Sequence, residues 1–207
     1  MSRLSPVLGR ADRAVYRAVA GFSTPWLDVP LRGISDFANN SKPWFLTAAA
    51  LAVLGGPDGR RAGLTGIAAV GATSFVVNQP MKLARRRRRP DRIQLGVPET
   101  RWVTMPTSTS FPSGHSASAA AFAVSVGHLV PALRWPLRLA AATVALSRVY
   151  TGVHYPGDVV VGMTTGAVLG AVASRTALRL SRRTAGPQTV RARTAAEAAG
   201  RRATGEN

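Results

Sequence analysis

Long apolar stretches divide this sequence, and clusters of basic residues separate them. Residues 43–57, 62–81 and 103–133 contain no Asp, Glu, Lys or Arg, and the run 157–174 contains only Asp158. A helix that crosses a bilayer needs about 20 apolar residues, so 62–81 is long enough to cross, whereas 43–57 is short. Uncharged runs of this length and glycine content are unusual in a soluble bundle, and they predict an integral membrane protein.

The same runs predict an all-α bundle. Prolines and charged turns mark the helix ends. The last helix carries Gly162, Gly166 and Gly170, a small residue at every fourth position, which favours close contact with another helix. The predicted helices cover residues 44–57, 62–81, 113–133, 138–150 and 157–175.

The two ends of the chain differ from its middle. In residues 1–43 apolar side chains recur every three or four positions between arginines, which is typical of an amphipathic interfacial helix, although a helix packed on the protein's own core has the same pattern. Pro25 and Pro30 are expected to break it. Residues 44–178 are the predicted membrane-embedded domain, and residues 179–207 are predicted to be a disordered basic tail. The apolar positions of the N-terminal pattern are Leu4, Leu8, Val15, Val19 and Phe22.

The charge of the chain is strongly positive, with 27 Lys and Arg against 9 Asp and Glu and a formal net charge of +18. Such an excess suits nucleic acid or an anionic membrane surface. The basic residues lie in clusters between uncharged runs and no nucleic-acid-binding motif occurs, so the expected partner is a lipid bilayer and not nucleic acid. The chain has no cysteine, which excludes disulfides and thiolate metal sites. Its oligomeric state stays open.

Alternation of the predicted helices across the membrane places the loops 82–112 and 151–156 on the same side. The unusual polar residues of the chain then gather at one face, although they lie far apart in the sequence. These residues are Lys82, Arg89, Ser113, His115, Arg148, His154 and Asp158.

Three of these residues are cations, and no acidic cluster accompanies them. Arginine presents a planar fork that matches phosphate and lysine adds a point charge, so the group suits phosphoryl transfer. Without carboxylates to hold Mg²⁺, the cations must neutralise the phosphate oxygens, which predicts catalysis without a metal or other cofactor. Two histidines can supply a nucleophile and a general acid, and Asp158 can orient the ring of His154, four residues before it.

The residues also match a three-part signature. Lys82 to Arg89-Pro90 reads Lys-x6-Arg-Pro, Pro112 to His115 reads Pro-Ser-Gly-His, and Ser147 to Asp158 reads Ser-Arg-x5-His-x3-Asp. In this respect the chain resembles the type 2 phosphatidic acid phosphatase superfamily over about residues 62–175. The stretch 35–40 also looks like actinobacterial members of that group. The resemblance implies a membrane-embedded helical bundle of five to six helices, related to the core of vanadium haloperoxidases.

The resemblance also implies a role for each signature residue. His154 would attack phosphorus and form a phosphohistidine, Asp158 would hold His154, and His115 would protonate the leaving alkoxide. The remaining residues would bind the phosphate oxygens: Lys82, Arg89, Ser113, Gly114 and Arg148.

Several basic residues are expected to lie outside the site. The run Arg85 to Arg88 is interpreted as a solvated patch or an anchor for lipid headgroups, and only Arg89, beside Pro90, is a site candidate. His128 lies within a predicted helix without a partner motif and is interpreted as structural.

The sequence therefore predicts a multi-pass plasma-membrane phosphatase that hydrolyses a lipid phosphomonoester or pyrophosphate of the phosphatidate or polyprenyl type. Basic residues on the two predicted sides favour a cytoplasmic tail and an extracytoplasmic site, whereas the basic N-terminus favours the reverse. Two alternatives stay open: an enzyme like the vanadium haloperoxidases, and a basic membrane-binding protein without activity.

Overall fold

The computed structural model describes the backbone of residues 6–204 and the side chains of residues 9–183. This part of the chain is all-helical, as predicted, with seven long helices and one short one. The two segments 1–174 and 175–207 form separate compact units. The helices are α1 (Pro6–Gly21), α2 (Pro25–Phe37), α3 (Lys42–Leu54), α4 (Gly56–Val76), α5 (Lys82–Ala84), α6 (Gly114–Leu129), α7 (Arg134–Tyr150) and α8 (Pro156–Thr204).

Helix α6 is the centre of the first unit. Its sequence consists largely of Ala, Ser and Gly with a few larger apolar residues, and it is buried along most of its length. A helix with no polar face belongs in a core. Helix α4 approaches it closely at Gly66, where a Cβ would touch the ring of Phe122. Phe122 also stacks on Trp44 of α3, with ring centroids 5.4 Å apart, so α3, α4 and α6 share one core.

The glycine stripe of α8 packs against α6, as its spacing predicts. A Cβ at Gly162, Gly166 or Gly170 would meet the backbone of α6 or of the residue that precedes it. Because only glycine lets two backbones approach this closely, the stripe brings the start of α8 beside the start of α6. This juxtaposition fixes where two parts of the signature meet.

The N-terminal region contributes two helices. Pro25 begins α2, where a missing backbone N–H has no consequence, but Pro30 lies inside α2 and does not break it. The predicted break at Pro30 is therefore wrong, and the helix loses only one backbone hydrogen bond there. In α1, Tyr16 is 1% exposed and donates to the carbonyl of Gly152 at 3.1 Å, whereas Val15 is exposed. Helix α1 thus packs on the protein itself. Leu4 and the side chain of Leu8 lie outside the described residues.

Other helix ends differ from the prediction. Helix α7 begins at Arg134 because Pro136 falls in its first turn, where proline is tolerated. Helix α8 continues to Thr204, through most of the segment 179–207 expected to be disordered, because Ala and Arg are strong helix formers. Among the described residues one helical stretch, Pro156–Arg183, is both long and apolar enough to cross a membrane. The other apolar runs form shorter or more polar helices.

Candidate active site

A cavity of about 250 Å³ lies at the end of the bundle where α4, α6 and the α7–α8 loop meet. Five of the eight predicted site residues line it, although they come from three distant parts of the sequence. Residues of the α2–α3 turn, of the 106–108 loop, of α6 and of the end of α4 complete the wall. The lining residues from the signature are Lys82, Arg89, Gly114, His115 and His154.

Proline positions the first of these cations. Pro80 lies in a π-helical segment, Val77–Met81, at the end of α4. A proline cannot donate to the preceding turn, which favours such a local widening of the helix. Lys82 follows directly, and its Nζ donates to Ser108 Oγ at 3.1 Å. Ser108 therefore holds the lysine at the cavity wall.

Arg89 lies in the extended segment that follows α5. Its Nε donates to the carbonyl of Ser108 at 2.8 Å, and its Nη1 donates to the carbonyl of Val153 at 2.7 Å. The same Nη1 is 3.2 Å from Nε2 of His154. These contacts fix the guanidinium directly beside the imidazole.

The Arg89 contact assigns the protons of the His154 ring. A guanidinium only donates hydrogen bonds, so Nε2 must accept with its lone pair and the ring proton must lie on Nδ1. His154 is 2% exposed, and burial lowers its pKa to about 4. The neighbouring Arg89 lowers this pKa as well, and Asp158 partly offsets both effects. The ring is thus neutral at physiological pH, and its Nε2 lone pair, which accepts from Arg89, lies at the cavity.

Asp158 lies behind His154, in the first turn of α8, and is fully buried. Its Oδ2 accepts from Ser110 Oγ at 2.5 Å and from the backbone N–H of Tyr155 at 3.0 Å. His154 Nδ1 is 3.8 Å from Oδ2, too long for a hydrogen bond, and 3.5 Å from Ser110 Oγ. The direct bond expected between His154 and Asp158 is absent because Ser110 and Tyr155 already occupy that oxygen.

His115 is held from the other side of the cavity. Its Nε2 is 2.9 Å from Oδ1 of Asn39, in the turn between α2 and α3. An amide oxygen accepts, so this contact keeps a proton on Nε2. Asn39 belongs to the stretch 35–40, and its contact gives that stretch a place in the site.

Two predicted phosphate ligands do not line the cavity. The hydroxyl of Ser113 caps α6 by accepting from the N–H of Ser116, and its own N–H donates to the Asp158 carbonyl at 2.9 Å. Arg148 is 1% exposed, and its Nη1 donates to the carbonyl and hydroxyl oxygens of Ser35 at 2.9 and 2.7 Å. Its Nε is buried without a hydrogen-bond partner among the described residues. Both residues lie behind the cavity wall.

Comparison with known proteins assigns the family. The profile of the PAP2 superfamily matches residues 63–182, more than half of the chain. The chain belongs to the PAP2 superfamily. It is 36% identical over 168 residues to a decaprenylphosphoryl-5-phosphoribose phosphatase of Mycobacterium tuberculosis, covering 79% of this chain and 89% of that protein. It is 38% identical over 156 residues to the protein of that name in Mycolicibacterium smegmatis, covering 72% and 77%.

A solved structure agrees with the fold of this PAP2 protein. The crystal structure of a transmembrane PAP2-type phosphatidylglycerolphosphate phosphatase from Bacillus subtilis superposes with a TM-score of 0.65 at 23% identity, covering 85% of this chain and 89% of that one. This structure confirms the predicted all-α fold, and the profile match with the mycobacterial relatives confirms the predicted family and the assignment as a phosphatase.

Arg87, which is not part of the PAP2 signature, joins the site to the N-terminal helix α1. Arg87 donates from Nη1 to Asp158 Oδ1 at 2.8 Å and from Nη2 to Asp12 Oδ2 at 2.6 Å. Its guanidinium also lies 3.9 Å from the ring centroid of Tyr155. The other oxygen of Asp12 accepts from the N–H of Gly157 at 2.7 Å. The interpretation of Arg87 as part of a solvated patch is therefore wrong.

His128 joins two helices of this PAP2 protein, in agreement with its interpretation as a structural residue. Its Nδ1 is 2.9 Å from Oγ of Ser174, a residue of α8. No group of three or more His, Cys, Asp or Glu side chains converges among the described residues, so this part of the chain offers no cluster of metal ligands.

Proposed function

We propose that the protein hydrolyses a phosphomonoester on a polyprenyl-linked lipid through a phosphohistidine at His154. One observation carries this proposal. The neutral His154 ring presents its Nε2 lone pair to the cavity, 3.2 Å from the Arg89 guanidinium. A phosphate bound by Arg89 therefore lies beside the nitrogen that attacks it. Lys82 lines the same cavity and adds a second cation.

The reaction then has two displacements. His154 Nε2 forms a bond to phosphorus, and the bond from phosphorus to the ester oxygen breaks. The bound phosphate dianion favours a protonated His115, which keeps its Nε2–H on Asn39 and gives its Nδ1 proton to the departing alkoxide. Water next attacks the phosphohistidine, the P–N bond breaks, and inorganic phosphate leaves. The cations stabilise the negative charge on the phosphate oxygens throughout. A phosphate oxygen that reaches Arg148 Nε would also satisfy this buried N–H, whose isolation otherwise costs about 1–3 kcal/mol.

Exposed apolar side chains support a position within the membrane. Helices α3, α4, α7 and α8 carry many large apolar residues that are more than half exposed, as expected of helices that contact lipid. We place the chain in the plasma membrane as a multi-pass protein with an extracytoplasmic site, and labelling the tail in intact cells tests that orientation. The exposed residues include Leu46, Val53, Leu54, Leu64, Phe75, Leu139, Leu146, Val160, Val168 and Val172.

The relatives favour one substrate class. The two mycobacterial proteins named for decaprenylphosphoryl-5-phosphoribose match 72–79% of this chain. A lipid A 1-phosphatase from Rhizobium johnstonii matches only 28% of it. A sugar phosphate carried on a polyprenyl phosphate is therefore a better candidate than lipid A.

Release of inorganic phosphate from a set of lipid phosphates tests this function with purified protein in detergent. We expect a polyprenyl-phosphoryl-ribose 5-phosphate to have the highest kcat/KM and the rate to persist in excess chelator, because cations and not a metal neutralise the phosphate. A loss of activity in chelator that added Mg²⁺ restores would overturn metal independence. A preference for phosphatidate would overturn the substrate class.

The pH profile tests the protonation state of His154. Because burial lowers the pKa of His154 to about 4, kcat/KM should fall on the acid side only near pH 4, and not near 6.5. Between these values the folded state binds fewer protons than the unfolded state, so the His154 contribution to the free energy of unfolding rises with pH. The pH profile is measured with a phosphate ester and with an analogue whose phosphate has a different pKa. A limb that stays at the same pH with both substrates comes from the enzyme, and one that moves comes from the substrate. An acid limb near 6.5 with both substrates would show that His154 is not desolvated.

A further inference from the structure

A second, larger cavity adjoins the catalytic one. It has a volume of about 470 Å³ and lies between the arginine run and the loop 105–109. Arg89, Pro106 and Ser108 line both cavities. The two spaces therefore lie next to each other and share part of their lining.

Because their backbone is extended, the arginines from Arg85 to Arg89 lie with their side chains on two opposite faces of the segment. Side chains alternate across an extended segment, and here the odd-numbered arginines face the protein. Arg85 lies 5.0 Å from the ring of Phe111, Arg87 binds Asp12 and Asp158, and Arg89 reaches His154.

The even-numbered arginines have no such partners. Arg86 and Arg88 are exposed and line the second cavity. No carboxylate among the described side chains pairs with either of them. Two exposed guanidinium groups without a carboxylate partner are the groups that bind a phosphate.

We infer that this cavity is a second anion subsite, which binds the phosphodiester of a substrate that carries two phosphates. The inference rests on the proposed function: the terminal monoester occupies the catalytic cavity, and the diester that links the sugar to the lipid lies against Arg86 and Arg88. A general anchor for anionic lipid headgroups would need exposed charge alone. The wall shared with the catalytic cavity at Arg89 and Ser108 favours the substrate's own diester as the occupant.

Two matched substrates test the subsite. One is a short-chain prenyl-phosphoryl-ribose 5-phosphate, and the other is the same molecule with its linking diester methylated to a neutral triester. Both present the same monoester to His154. We expect the wild-type protein in uncharged detergent to prefer the charged linker by about tenfold or more in kcat/KM, and the double variant Arg86→Gln/Arg88→Gln to lose that preference. The control Arg60→Gln/Arg138→Gln removes the same amount of charge at the other ends of α4 and α7. This control should keep the preference for the charged linker.

Each other outcome counts against the subsite. A preference that survives in the double variant, or its absence in the wild type, would overturn it. The double variant could instead lose kcat/KM equally with both substrates, and only in vesicles that contain phosphatidylglycerol. That result would assign the arginines to headgroup binding and overturn the subsite. Failure of the wild type to hydrolyse either substrate, or p-nitrophenyl phosphate, would overturn the proposed function itself, and the subsite with it.

Discussion

Replacing His154 with alanine is expected to lower phosphate release by about 10⁴-fold or more. Its Nε2 is the imidazole nitrogen that lies beside Arg89 in the described cavity, and loss of a covalent nucleophile costs rate on this scale. The measurement is kcat on a lipid phosphate, with far-ultraviolet circular dichroism to show that the variant is folded. Because alanine removes a polar ring whose burial is itself unfavourable, we expect the variant to fold.

A matched histidine variant controls for general effects on the bundle. His128 bonds Ser174 in the α6–α8 contact and does not line the cavity, so His128→Ala should turn over within a few-fold of the wild type. A near-normal rate for His154→Ala would rule out the phosphohistidine mechanism. A comparable collapse of rate in both variants would instead indicate that the bundle had been disturbed.

Replacing Arg87 with glutamine is expected to slow the enzyme by about 10²-fold and to destabilise it by up to about 3 kcal/mol. Arg87 bridges Asp158, which is fully buried, and Asp12, so its loss leaves two carboxylates without their partner. If the Asp158 carboxylate shifts, its partner Ser110 and the adjacent His154 ring shift with it. A displacement of about 1 Å at a reacting group lowers the rate by about 10²-fold. The measurements are kcat/KM and the midpoint of thermal unfolding.

Two comparisons separate positioning from stability alone in this prediction. Arg86→Gln changes the charge by the same amount at an exposed neighbour and should leave the unfolding midpoint within about 1 °C, since surface substitutions have small effects. In Arg87→Gln the loss of a nearby cation should move the acid limb of kcat/KM to higher pH, and Arg87→Lys should restore part of the rate. An unfolding midpoint and a pH profile both equal to those of the wild type would contradict the role of Arg87.

Part of the cavity lining could be predicted from the sequence because those residues lie at helix ends. Lys82 and His115 are at the ends of helices whose apolar runs are plain in the sequence, and alternation of those helices brings their ends together. Arg148 is also at a helix end but lies behind the cavity wall. The signature spacing then identifies Arg89 and His154. The all-α class follows from the same runs.

The supporting residues could not be found in this way, because their partners are distant. Asp12 is 75 residues from Arg87, Asn39 is 76 from His115, and Ser110 is 48 from Asp158. No local pattern joins such pairs. Two of these residues had a signal in the sequence. Asn39 belongs to the stretch 35–40 that looks like actinobacterial members of the group, and Asp12 is an acidic residue in a helix otherwise rich in arginine, which indicates a specific cationic partner.

The arginine run shows where composition misleads. The run Arg85 to Arg88 suggests one solvated patch, but its backbone is extended, so alternate side chains face different surroundings. Arg87 and Arg89 enter the site, whereas Arg86 and Arg88 stay exposed. Only the conformation of the segment, which proline and the end of α5 impose, distinguishes the two sets.

Trapping the phosphorylated enzyme tests the central claim most directly. The wild-type protein is mixed with substrate labelled in its terminal phosphate, quenched within milliseconds in alkaline detergent, which preserves phosphohistidine, and digested for mass spectrometry. We predict that the label is on the peptide that contains His154, that it forms before inorganic phosphate accumulates, and that it is absent from His154→Ala. A label on His115, or release of phosphate without any labelled enzyme, would contradict attack by His154.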